Sequence, residues 1–146
     1  MIDMKKGNEK GFSLIEILIA IAVFAIGILA VGKMQITAIK GNYFANDITK
    51  ATTLAQDRME RLISLSYADS LNDDADGDGT AGLDDTNATA DHNDPNNPID
   101  GRYNISWNID SDYYINNTKT IRVIVKWTDK GVPRSMSLTS MKADII

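Results

Sequence analysis

The sequence contains no cysteine, so no disulfide can staple its fold. It has one histidine, His92, set in a polar stretch where a solvated side chain is the simplest reading and no ligand role is assigned. No glycine-rich motif that would cradle a phosphate is present. These absences leave an enzyme little to build on beyond carboxylates, and the chain is expected not to be one. Positive charge is also scarce. The net charge of −5 argues against a nucleic-acid partner, which a basic face would announce. Residues 69–100 carry ten aspartates and no lysine or arginine. With 146 residues the chain has room for one domain plus appendages.

What is present is unevenly placed. Residues 12–31 are apolar except for Ser13, Glu16 and Gly27. Twenty residues at about 1.5 Å each reach roughly 30 Å, the thickness of a bilayer core. Lys5, Lys6 and Lys10 precede the run, which places the N-terminus in the cytoplasm and the body of the protein beyond the inner membrane. A conventional secretory signal would be shorter and end in an Ala-x-Ala-like cleavage site, which is missing here. A buried core helix would rarely be apolar for so long. Glu16 stands out, because an ionisable side chain costs roughly 2.5–3.5 kcal/mol at the centre of a spanning helix. Near the helix end it either snorkels to the headgroups or meets a positive group.

The segment Lys10-Gly11-Phe12-Ser13-Leu14-Ile15-Glu16-Ile17-Leu18-Ile19-Ala20 resembles the processing site of type IV prepilins and of type II secretion pseudopilins. The resemblance implies a leader of residues 1–11, cut after Gly11 by a prepilin peptidase that then methylates the amino group of Phe12. It also implies that Glu16, fifth in the mature chain, meets the positive amino terminus of a neighbouring subunit. A carboxylate and an ammonium attract strongly in a low dielectric, and each alone would be costly there. Many major pilins have a proline near the twenty-second mature position. Here that position is Lys33, which points to a minor pilin or pseudopilin. Local stretches around 54–62 and 122–129 resemble minor pilins of the PilV type.

The helical pattern continues to about Ser66. Phe44, Ile48, Ala51, Ala55, Met59 and Leu62 share one face, and Asn42, Asn46, Asp57, Glu60 and Ser64 lie opposite. The stripe is expected to pack on a core. From Arg102 onward the period changes to two. Tyr103, Ile105, Trp107 and Ile109 alternate with polar residues, as do Ile121, Val123, Val125 and Trp127, and Met136 and Leu138 open a further run. These read as antiparallel strands with one wet face, joined by turns at Asn116-Asn117 and at residues 129–133. Both tryptophans are expected in the core. The fold class is α+β: a long hydrophobic-then-amphipathic helix on a small antiparallel sheet of three to four strands. The divisions are 1–11 as leader, 12–33 as membrane or filament-core helix, and 34–146 as helix and head, with an acidic loop at 69–100 and a sheet at 102–143.

Within the acidic loop, Asp74, Asp76 and Asp78 occupy positions 1, 3 and 5 of a calcium-loop spacing. Gly79 falls at position 6, Thr80 at 7, where its carbonyl would serve, and Asp85 at 12. Alternate carboxylates converge on a hard cation as the chain turns at the glycine. An aspartate at position 12 is shorter than the usual glutamate, and no helix is expected to follow, so an isolated loop is expected and not a helix–loop–helix hand. The competing reading is a solvated, disordered acidic linker.

Together these features point to a minor pilin that enters or primes a type IV pilus. Its partners would be other pilin subunits, the peptidase and methyltransferase, the inner-membrane assembly machinery and, before assembly, lipid. The final location would be an extracellular pilus or, for a pseudopilin of secretion or DNA uptake, the periplasm. A membrane-anchored calcium-binding module that never polymerises is the alternative of a different class.

Overall fold

The computed structural model describes residues 11–112 and 114–144, and Lys5, Lys6 and Lys10 of the expected leader lie outside the described residues. The chain divides into two compact units, residues 1–43 and 44–146. One helix, α1 (Leu14–Ser64), contributes to both.

In the first unit the described residues are the start of α1 and the three residues before it. Ser13 closes the helix N-terminus, since its hydroxyl accepts a hydrogen bond from the Glu16 backbone N–H at 3.3 Å. Glu16 also puts its negative charge in the first turn, where the helix dipole favours it. Every large apolar side chain from Phe12 to Ile39 is exposed; Phe24, Ile26 and Leu29 stand near 70%. Gly27 and Gly32 do not interrupt the helix. The helix is long and apolar enough to cross a membrane.

The second unit joins residues 44–64 of α1 to a four-stranded antiparallel sheet in sequential order. Its strands are β1 (His92–Asn93), β2 (Asn104–Ser111), β3 (Thr118–Asp129) and β4 (Val132–Ala143). Alternation places Ile105, Trp107 and Ile109 of β2 and Ile121, Val123, Val125 and Trp127 of β3 in one cluster with Tyr103. Ala51, Ala55, Met59 and Leu62 of α1 complete that core. The β3–β4 hairpin turns at Lys130 and Gly131, both at positive φ, the conformation that suits a two-residue hairpin loop. Pro133 is tolerated because β4 is an edge strand.

Two expectations need correction. Phe44 and Ile48 belong to the predicted apolar stripe, yet they are 39% and 37% exposed. At that level of the helix the buried residue is Asp47. Its carboxylate accepts hydrogen bonds from the two terminal guanidinium nitrogens of Arg102, at 2.8 and 2.6 Å, and from the Tyr103 hydroxyl at 3.3 Å. A bidentate partner offsets its desolvation, so a charged residue can take the inward position. The sheet also lacks the expected wet face along β2, where residues 105–110 are buried without a break. The acidic loop lies over that face. Only β4 keeps the alternating pattern, with Ser135, Ser137, Thr139 and Met141 open.

Candidate functional site

The acidic loop is ordered by long-range partners from the sheet. Asn108 of β2 is buried and points to the outer face. Its amide donates to the carbonyls of Leu83 and Asp85 at 3.2 and 2.9 Å, and its carbonyl oxygen accepts the Asp91 N–H at 3.0 Å. Asp91 in turn accepts from the N–H groups of Ala75 and Ile109, both at 2.8 Å. Burial holds the Asp91 carboxyl above the usual carboxylate range, and these backbone donors offset only part of that rise. Three short 3₁₀ turns, Ser70–Asn72, Gly79–Gly82 and Asn87–Thr89, break the loop into segments.

Cations on the sheet and helix hold the loop's other acids. Lys119 bonds the Asp73 carboxylate at 2.8 Å and the Tyr67 carbonyl at 3.0 Å. Arg122 meets Asp84 at 2.9 Å. Arg58 of α1 pairs with the buried Asp94 and lies over the Trp107 ring, its centre 4.8 Å away. Burial, and then the charge of Arg61, lowers the Arg58 pKa. His92 stacks on Trp107 at 5.4 Å, and its Nε2 sits 2.9 Å from the Asp73 carbonyl oxygen. His92 therefore has a packing role, in place of the purely solvated one read from the sequence.

Asp74, Asp76 and Asp78 are brought together, with one carboxylate oxygen from each within 4.8 Å of the others. Asp74 binds back to the N–H groups of Gly77 and Gly79 at 2.8 and 3.0 Å, so its carboxylate shapes the turn. Gly77 and Gly79 sit at φ of +78° and +56°, which a side chain would strain. A Cβ at Gly82 would meet the Asp78 carboxylate, so a side chain there would push Asp78 aside. Desolvation raises the Asp78 pKa, and the charges of Asp76, Asp85 and Asp74 raise it further. Asp85 thus acts on Asp78 electrostatically but is not one of the three clustered carboxylates. The Thr80 hydroxyl donates to Asp110 of β2 at 2.6 Å. Spacing in the sequence gave no sign of Asp91, Asn108 or Asp110, because each acts from 15 to 30 residues away.

At the other end of the chain, Gly11 and Phe12 precede α1 and Glu16 lies in its first turn. Phe12 is 80% exposed, and a Cβ at Gly11 would meet nothing within 4 Å. Residues 6–32 match the family model of the prokaryotic N-terminal methylation motif. The chain carries that motif, which is characteristic of type IV pilins and pseudopilins. The match covers Gly11, Phe12, Glu16 and the whole apolar run of residues 12–31. It supports a pilin or pseudopilin in general, and it marks a substrate of processing in preference to an enzyme. The α+β architecture of the second unit is pilin-like as well. Neither a curated protein nor a solved structure matches the chain.

Proposed function

We propose that this chain is a minor pilin, a structural subunit that is cut after Gly11, methylated on Phe12 and built into a type IV pilus or its priming complex. The observation that carries the proposal is the methylation motif at the head of an exposed apolar helix with Glu16 in its first turn. Removal of the leader creates the ammonium of Phe12. Glu16 of an adjoining subunit is the counter-charge that makes burying that ammonium in an apolar filament core tolerable. The exposed side chains of residues 12–31 suit lipid first and neighbouring subunits later. α1 also runs unbroken through Lys33, where the resemblance places a proline in many major pilins.

Gly11→Ala tests the reading cleanly, because the added Cβ touches nothing and any effect must come from recognition by the peptidase. The variant should accumulate as the uncut precursor, with no methylated Phe12 detectable by mass spectrometry. Normal cleavage of Gly11→Ala would reject processing at this bond. The filament with which the mature chain co-purifies separates a pilus subunit from a pseudopilin.

We further propose that Asp74, Asp76 and Asp78 hold a calcium ion, aided by the Thr80 carbonyl and Asp85. Oxygen ligands lie about 2.3–2.6 Å from calcium, so two on opposite sides are roughly 4.6–5.2 Å apart. The spread of the three carboxylates fits that span. Saturating calcium at a hundredfold its Kd should stabilise the head by about 2.7 kcal/mol over chelator. Identical unfolding curves in the two conditions would remove the calcium reading and leave the pilin reading untouched.

A further inference from the structure

We infer that β4 is a strand-pairing edge, and that its occupant is β4 of a second copy of this chain. The reading stands apart from filament assembly, because it uses only the second unit. β4 ends the sheet, and among the described residues no strand lies beside its outer edge. A row of free backbone donors and acceptors is satisfied by another extended backbone and by little else except water.

Soluble proteins usually blunt such an edge with charge, proline or brevity. β4 is 12 residues long. Its run Ser135-Met136-Ser137-Leu138-Thr139-Ser140-Met141 contains no charge and no proline. Pro133 guards only the first end. Lys142, the one lysine in the strand, is drawn away. Its ammonium binds the carbonyl oxygens of Leu62 and Ser66 at 3.0 and 3.3 Å, and that of Leu65 as well, closing the C-terminus of α1. The opposite end of the sheet is different. β1 is only two residues long and lies in the aspartate-rich loop. The negative charge that would repel a second copy is therefore gathered over β2 and β3, away from β4.

The strand can pair with itself antiparallel, and the register centred on Ser137 is the one that sets its two core-facing apolar residues, Met136 and Leu138, against each other. Residues opposite each other share a face, so a symmetric pair is centred on a single residue. Centred on Ser137, Met136 meets Leu138 of the copy, Ser135 meets Thr139, and Arg134 meets Ser140. The apolar pair continues the core-facing row to which Met136 and Leu138 already belong. Centring on Leu138 instead would set Arg134 against Lys142, and centring on Met136 would set Lys130 against Lys142. Like charges opposite one another disfavour both. A two-fold pair of this kind closes on itself and does not propagate, so it would hold subunits in pairs outside a polar filament.

The lack of any native cysteine makes the register directly testable. Ser137 is exposed, so Ser137→Cys should leave the fold intact. Opposed Cα atoms lie about 4.5–5.5 Å apart in an antiparallel pair, within disulfide range. The full-length variant, oxidised mildly in its native membrane, should run at twice its monomer mass on a non-reducing gel. Ser135→Cys alone should stay monomeric, because its own counterpart lies four residues along, roughly 13 Å away. Co-expressed Ser135→Cys and Thr139→Cys chains should restore the dimer. Equal homodimers from Ser135→Cys and Ser137→Cys, no dimer at Ser137→Cys, or an adduct with a different protein would each overturn the proposal.

Discussion

The two halves of α1 are continuous in backbone but differ in what surrounds them. Residues 14–31 are apolar on every side and exposed all round. Residues 44–64 are apolar on one face only, and that face is covered by β2 and β3 through Ala51, Ala55, Met59 and Leu62. A helix with one apolar stripe finds its partner within its own chain. A helix apolar all round must find lipid or other chains. The core of the second unit is therefore sensitive to single side chains, whereas the first half is sensitive to its summed apolarity and to the one charge it contains.

A matched pair of substitutions sharpens that contrast. Leu62→Ala empties a fully buried site between helix and sheet and should cost about 2–5 kcal/mol, read as a fall in the unfolding midpoint of the second unit. Leu18→Ala removes the same atoms from a side chain that is 55% exposed and should leave that midpoint unchanged. Equal losses from the two would mean that the first half of α1 is packed within its own chain.

A second contrast lies within the head, between the outer face of β2, covered by the acidic loop, and that of β4, which is open. Asn108→Ala strips partners from the carbonyls of Leu83 and Asp85 and from the Asp91 N–H. Leaving buried backbone groups unpaired should cost about 1–3 kcal/mol. Hydrogen exchange should quicken at Asp91 and in the turn after Asp78. Thr139→Ala, on the open face of β4, should change neither measurement.

The parts of this architecture that were legible in the sequence are those set by local periodicity. The 3.6-residue stripe, the two-residue alternation in 103–109 and 121–127, and the Lys130-Gly131 turn all belong to neighbours in the chain. The inward position of Asp47 was not readable, because it depends on Arg102, 55 residues away. The covered face of β2 escaped notice for the same reason. Asn108 and Asp110 occupy the polar positions of the alternation, and polar residues there look solvent-facing until a loop from residues 80–91 arrives to bond them. The candidate cation site falls between these cases. The Asp74-x-Asp76-x-Asp78 spacing was readable, but its support by Asp91 and the sheet was not.

The smallest expected effect concerns that site and carries a definite sign. The Asp78 carboxyl is held above the ordinary carboxylate range by desolvation and by Asp76, Asp85 and Asp74. The folded state therefore binds a proton more readily than the unfolded chain. Without metal, stability should rise slightly as the pH falls through that raised pKa, because protonation relieves repulsion that exists only in the fold. With calcium the slope should reverse, since the proton competes with the cation for the same oxygens. Thermal midpoints measured in calcium and in chelator should therefore converge between neutral and mildly acidic pH. Asp78→Asn should flatten the chelator curve in this window and reduce the gap between the two. Parallel curves across the range would detach the three carboxylates from any cation, and the loop would then owe its order to Asn108 and Asp91 alone.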